Sequence, residues 1–289
     1  MKQELLSRRT FLKTGTLATS ALILADQLTS LVEAEEKPEY SLGIQSYTFR
    51  EFKLEPALKK ISDLKLKNVE FFPGHIPVTN KESEIKAVKK LCGDYGVVPL
   101  SFGVGGYSKN HEANKKIFEF AAAMGMKYLS ADPTPDAFDS LDKLTEEYKI
   151  AIGIHPHGPA GKGLHRWYSA EIIMKAVRNH SPLIGSCLDT GHLIRSEQMG
   201  KHLDPAKQVL VMGARNFGLH LKDHDNKRRT DVVFGKDGGV LNVLELLQSL
   251  QKVKFKGYIA IEYEANSKDP SKDVAACIEV FQECVKKLA

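Results

Sequence analysis

The sequence predicts a single (β/α)8 barrel of the α/β class. Three observations lead there. Short apolar, β-branched runs alternate with longer segments of helical period. Eight such units can be counted along the chain. The polar, chemically versatile residues gather at the ends of the later strands. Strand–helix alternation implies right-handed βαβ units and a parallel sheet. Eight units in about 250 residues suit a closed barrel. The competing architecture is an open doubly wound sheet, which the lack of a G-x-G-x-x-G after the first strand disfavours.

The elements follow in order. Strands are expected at Ser41–Tyr47, Asn68–Phe72, Val97–Phe102, Lys127–Ala131, Ile150–His155, Ile184–Asp189, Asn216–Leu221 and Tyr258–Glu262. Helices are expected at Leu54–Lys65, Glu82–Tyr95, Asn110–Met124, Ala137–Tyr148, Ser169–Asn179, Pro205–Ala214, Val240–Gln251 and Ser271–Leu288. Gly, Asn, Pro or Asp mark most junctions, as at Gly96, Asn110, Gly125, Pro205 and Gly257. No internal repeat or low-complexity tract interrupts the pattern.

Composition narrows the function classes. The 289 residues are 42% hydrophobic and 27% charged, which excludes a disordered chain, a collagen-like repeat and a multi-span membrane protein. Lys and Arg total 41 against 36 Asp and Glu, and the net charge of +5 is too small and too evenly spread for a nucleic-acid face. The four cysteines, Cys92, Cys187, Cys277 and Cys284, include no C-x-x-C. Cys277 and Cys284 lie seven positions apart in a helical stretch, about 10 Å along the axis, too far for a disulfide. All four are expected to be reduced thiols.

The first residues read as an address. Ser7-Arg8-Arg9-Thr10-Phe11-Leu12-Lys13 precedes a modest apolar run, Leu17 to Ala25, and then Val32-Glu33-Ala34. Paired arginines, a short apolar stretch and an A-x-A-like end are the parts of a signal peptide. The arginine string resembles the twin-arginine (Tat) signal. The alternative is an amphipathic first helix with a chance arginine pair. Residues 1–34 are thus expected to be the signal, and 35–289 the barrel of a periplasmic or otherwise extracytoplasmic protein. The apolar run is too short to span a bilayer, so no stable membrane anchor is expected. Tat substrates typically cross folded, which would allow a metal to be loaded before export.

The strand ends carry the chemistry. The fifth ends Gly153-Ile154-His155-Pro156-His157, the sixth Cys187-Leu188-Asp189, the seventh Gly218-Leu219-His220-Leu221-Lys222 and the eighth Ala260-Ile261-Glu262. Side chains alternate along a strand. If Ile154, Leu188, Leu219 and Ile261 lie beneath the helices, then His155, Asp189, His220 and Glu262 point inward. Burying four such groups unpaired is very costly. One divalent cation resolves the cost, because it pairs the carboxylates and accepts the imidazole lone pairs. Taken singly, each of these residues has an ordinary structural explanation, but four on consecutive strands do not.

The motifs Val69-Glu70-Phe71-Phe72, Leu188-Asp189-Thr190-Gly191-His192, His220-Leu221-Lys222-Asp223 and Tyr258 to Glu262 together resemble the xylose isomerase-like TIM-barrel superfamily. That superfamily holds sugar phosphate isomerases/epimerases, inosose dehydratase and endonuclease IV-type enzymes. The resemblance covers essentially the whole mature chain and implies that Asp189, His220 and Glu262 are metal ligands. Its epimerases carry a glutamate where this sequence has His155, which puts their two-glutamate proton shuttle in question. The His-x-His pair is closer to the inosose dehydratase branch.

The resemblance implies proton abstraction next to a carbonyl, with the metal as Lewis acid. Glu262 is the candidate ligand and base. His157 is the candidate acid or base, a fifth ligand or a loop residue. Lys222 either neutralises a developing oxyanion or pairs with Asp223 or Glu264. His192 is expected to bind a substrate hydroxyl or a second metal, or to orient a ligand. Glu70 is a substrate contact, a second base or a structural residue. Trp167, with Tyr168, is expected to form an apolar lid on a sugar face or to make an ordinary hydrophobic contact. The remaining histidines are mostly expected at the surface. The turn Gly235–Gly239 has the makings of a phosphate cradle, although export favours an unphosphorylated sugar, a keto-sugar or a keto-glycoside. A co-exported sugar dehydrogenase is the expected partner. Elimination from a keto-sugar or 3-keto-glycoside, a phosphodiesterase and a non-catalytic sugar-binding barrel are the competing functions.

Overall fold

The computed structural model describes residues 40–288, so the expected signal at 1–34 lies outside the described residues. Eight parallel strands close into one barrel: β1 (Ser41–Gln45), β2 (Asn68–Phe71), β3 (Val98–Tyr107), β4 (Tyr128–Pro133), β5 (Ala151–Ile154), β6 (Ile184–Asp189), β7 (Asn216–Leu221) and β8 (Tyr258–Ile261). Neighbours in sequence are neighbours in the ring. β8 closes onto β1 with Ser41 opposite Tyr258 and Ile44 opposite Ile261.

The helices are α1 (Leu54–Asp63), α2 (Glu82–Asp94), α3 (His111–Met124), α4 (Phe138–Tyr148), α5 (Ala170–Val177), α6 (Thr190–Arg195), α7 (Pro205–Met212), α8 (Val243–Lys252) and α9 (Ser271–Leu288). Their starts are chemically marked. Asn110, Asp204 and Asn242 cap α3, α7 and α8 by accepting a backbone N–H from the first turn. The cap at Asn242 explains why α8 begins at Val243 rather than at Val240. The short α6 was not expected. It forms because Asp189, at the end of β6, caps it directly.

Side-chain parity divides the barrel as the alternation predicts. Ile152, Ile154, Leu188, Leu219, Leu221, Ile259 and Ile261 join the main apolar core. Cys187, Tyr258 and Ala260 form a separate small cluster. Gly153 leaves room for it: a Cβ there would lie 2.7 Å from the Cys187 nitrogen. β3 runs further than expected, to Tyr107, with a register shift between Phe102 and Gly105. Two short antiparallel ribbons, Pro159–Ala160 with Gly163–Leu164 and Asp223–Asp225 with Thr230–Val232, extend the loops after β5 and β7. The four cysteines are free thiols, three buried and Cys284 half-buried.

Candidate active site

Four consecutive strands deliver one donor each. His155 follows β5, and its N–H pairs with the Ala131 carbonyl at 2.8 Å. Asp189 closes β6, His220 lies within β7, and Glu262 follows β8 with its N–H on the Leu221 carbonyl at 3.1 Å. All four side chains are buried, and one donor atom of each lies within 4.8 Å of the others. His155 Nε2 is 3.1 Å from His220 Nδ1 and 3.4 Å from Asp189 Oδ2. His220 Nδ1 is 3.1 Å from Glu262 Oε2 and 3.9 Å from Asp189 Oδ2.

Three of these four separations match a shared metal, and the fourth, at 3.9 Å, is wider. Donors about 2.1 Å from a common ion stand roughly 3.0–3.4 Å apart. Asp189 Oδ2 is buried and has no well-formed hydrogen bond, its nearest cation being the Lys222 ammonium at 3.3 Å. The other oxygen, Oδ1, takes the His192 N–H at 2.6 Å as the cap of α6. One carboxylate therefore starts a helix with one oxygen and offers the second to the cluster.

The electrostatics keep the carboxylates ionised. Burial alone would raise Asp189 and Glu262. The Lys222 ammonium, together with His155 at Asp189 and His220 at Glu262, outweighs it and holds each carboxyl below its usual range. Burial, with His155 and His165 adding, pushes His157 down to about 3. Burial likewise pushes His192 well below the usual imidazole range. Both rings are therefore neutral near pH 7. Their centroids lie 5.1 Å apart, and each faces His155, at 4.8 Å from His157 and 5.4 Å from His192. His192 Nδ1 accepts the Gly158 N–H at 3.0 Å, so its proton sits on Nε2.

At three residues the structure takes one of the roles the sequence left open and not the other. Glu70 points inward, but it is only 1% exposed and has no side open to a substrate. Its carboxylate accepts from Gln45 at 2.6 Å, Ser130 at 2.5 Å, His220 at 2.9 Å and the Tyr258 hydroxyl. It orients His220 from below. Lys222 does not face open space awaiting an oxyanion. Its Nζ lies 2.5 Å from Glu264 Oε1, 3.2 Å from Glu262 Oε2 and 3.3 Å from Asp189 Oδ2. Trp167 is no lid. Its ring is buried edge-on to Phe138, and its Nε1–H is given to the Pro133 carbonyl at 2.8 Å.

The glycine-rich turn is not a phosphate cradle either. The Asp223 carboxylate, buried inside it, accepts the N–H groups of Gly235, Val240 and Leu241 at 2.7, 3.0 and 3.2 Å. An internal anion already fills the place of an external one. Three histidines expected at the surface are also elsewhere. His75 bonds the Phe52 carbonyl, His224 is buried against Asp231 at 2.9 Å, and His165 lies with its ring 4.8 Å from that of His157. No local pattern marks them, since each is placed by a tertiary partner.

Solved structures share this architecture. The chain is similar to an uncharacterised protein of Parabacteroides distasonis ATCC 8503, at 28% identity, TM-score 0.64, covering 85% of this chain and 99% of that one. It is similar to 3-keto-D-glucoside 4-epimerase, YcjR, from E. coli, at 14% identity, TM-score 0.65, covering 85% and 100%. It is also similar to D-psicose 3-epimerase of Clostridium cellulolyticum H10, at 13% identity, TM-score 0.65, covering 84% and 99%. At such identities the two epimerases show the fold they share with this chain. No curated protein matches it. The model of one family, described as xylose isomerase-like TIM barrel, matches residues 58–284, and with its closed ring of eight strands the chain belongs to that family.

Proposed function

We propose that the chain is a divalent-metal-dependent sugar isomerase or epimerase, acting on a sugar or keto-sugar at the carbon next to its carbonyl. One observation carries this reading: four buried donors, His155, Asp189, His220 and Glu262, meet at one point at the ends of neighbouring strands. Fold likeness to two sugar epimerases supports the substrate class. A divalent ion bound there supplies Lewis-acid polarisation of adjacent substrate oxygens.

The chain's own residues do the rest. Glu262, ionised, gives Oε2 to the donor cluster and takes the substrate proton on Oε1. His157 and His192 stand over the cluster as neutral imidazoles, and His157 accepts a proton as a second base. His192 offers Nε2–H to a substrate hydroxyl. Proton return to the same carbon from the opposite face gives an epimer, and return to its neighbour gives an isomer.

A second reading has its own support. Glu70 is sealed beneath His220 and so does not serve as the second glutamate of a two-glutamate shuttle. That favours elimination from a keto-sugar or 3-keto-glycoside, in which the proton need not return. As part of the same proposal, the enzyme works outside the cytoplasm after Tat export, on sugars oxidised by a separate dehydrogenase. The test is incubation with a panel of keto-sugars and keto-glycosides in D2O. Deuterium at the carbon beside the carbonyl, without loss of mass, supports isomerisation or epimerisation. Loss of water or aglycone supports elimination. Neither outcome across the panel, with the protein metal-loaded, overturns both.

A further inference from the structure

Lys222 is among the largest fully buried side chains of the protein. Its ammonium touches three carboxylates, and two of the contacted atoms, Asp189 Oδ2 and Glu262 Oε2, also belong to the donor cluster. The same two oxygens thus face a lysine on one side and the meeting point of the donors on the other. The lysine cannot withdraw. Its backbone is stapled to Thr190, which takes the Lys222 N–H at 2.9 Å and gives its hydroxyl proton to the Lys222 carbonyl at 2.6 Å. Its stem lies against Gly191, where a Cβ would come within 2.6 Å of it. The third carboxylate, Glu264, is different. It makes the shortest contact, 2.5 Å, is 34% exposed and stands outside the donor set. Its N–H is held by Asp231 Oδ2 at 2.8 Å.

We propose that Lys222 and Glu264 are positioning residues that together set the affinity of the donor cluster for a divalent cation. Lys222 lowers that affinity by sharing its charge with Asp189 and Glu262. Glu264 raises it by drawing the ammonium toward itself. The proposal rests on the metal-centre reading above. Like charges inside a barrel repel strongly, so an ammonium bound to two of four donors opposes a second cation unless a further carboxylate balances it. In the metal-free chain the same ammonium compensates two buried carboxylates, whose charges would otherwise be costly. The pair thus trades affinity for a folded site that exists before loading.

The test is titration of the mature protein with Co2+ alone, in competition with a chromophoric chelator, alongside thermal unfolding of the metal-free form. Glu264→Gln is expected to weaken Co2+ binding about tenfold, and Lys222→Met to tighten it about tenfold while lowering the metal-free Tm. Glu264→Asp is expected to restore most of the wild-type affinity. A merely structural role predicts weaker binding in both variants. Wild-type binding with both variants weaker, or both unchanged, overturns this proposal and leaves the metal centre standing. If Lys222→Met fails to fold, Glu264→Gln decides: unchanged or tighter Co2+ binding overturns it. No stoichiometric Co2+ binding by the wild type overturns the metal reading and this proposal with it.

Discussion

Glu70 and His220 lie 150 residues apart and meet in a buried hydrogen bond of 2.9 Å, with His220 Nε2 donating to Glu70 Oε1. With the Nε2 proton given to Glu70, Nδ1 is the nitrogen left to a bound cation. Partners of this kind behind a ligating imidazole raise its basicity and lock its ring. Glu70→Gln is therefore expected to lower divalent-ion affinity about 10- to 100-fold, measured by Co2+ titration. Unchanged affinity in a folded Glu70→Gln protein would remove Glu70 from the site.

The same carboxyl makes an acid-stability prediction. Burial alone would raise Glu70, but in the metal-free chain the His220 charge and the hydrogen bonds from His220, Ser130 and Tyr258 together outweigh it and bring it from 4.5 down to about 2. A group depressed on folding stabilises the native state above its unfolded value. That contribution fades as pH falls from about 4.5 toward 2. Unfolding by urea, followed by circular dichroism across this window, should show a steep loss of stability in wild type. The loss should be shallower in Glu70→Gln, and parallel curves for the two proteins would contradict the assignment.

Glu262 serves as donor and base in the proposed chemistry. Glu262→Gln keeps the shape and removes the charge, and turnover should fall by about 10^2- to 10^4-fold. Solvent deuterium incorporation should fall with it. Wild-type exchange rates in a folded Glu262→Gln protein would assign the base elsewhere.

Asp223 makes a prediction about stability alone. It holds the turn after β7 through the N–H groups of Gly235, Val240 and Leu241, and of His224 at 2.8 Å. Asp223→Ala strands buried donors and should cost about 2–4 kcal/mol. Denaturant midpoints measure it, and a change below about 0.5 kcal/mol would show that the turn holds itself.

The barrel was largely legible because alternation is a local property. β6 and β7 have the expected limits, Ile184–Asp189 and Asn216–Leu221, and parity alone sends Asp189 and His220 inward. What parity cannot say is who waits there. Glu70 was read as inward, yet its partners Gln45, Ser130 and Tyr258 come from three other strands. Lys222 was read as inward too, and its pairing with Glu264 was one of the alternatives. The contacts with Asp189 and Glu262 depend on three strand ends converging, which no spacing encodes. The glycine-rich turn misled for a related reason: its free N–H groups are visible in sequence, but the Asp223 carboxylate that uses them is recognised only once the chain folds back.

The staves β5 to β8 each contribute one group to a shared point, and adjacent staves are locked in parallel register, as where Asp189 stands opposite His220. Deleting a single residue upstream in any of them would swing its donor out under the helices and bring an oily neighbour in. Such a chain would still close its ring and yet be chemically mute. Insertions and deletions during divergence from this scaffold are thereby channelled into stretches such as 156–169, and the lengths of these four strands become the most heavily policed quantity in the molecule.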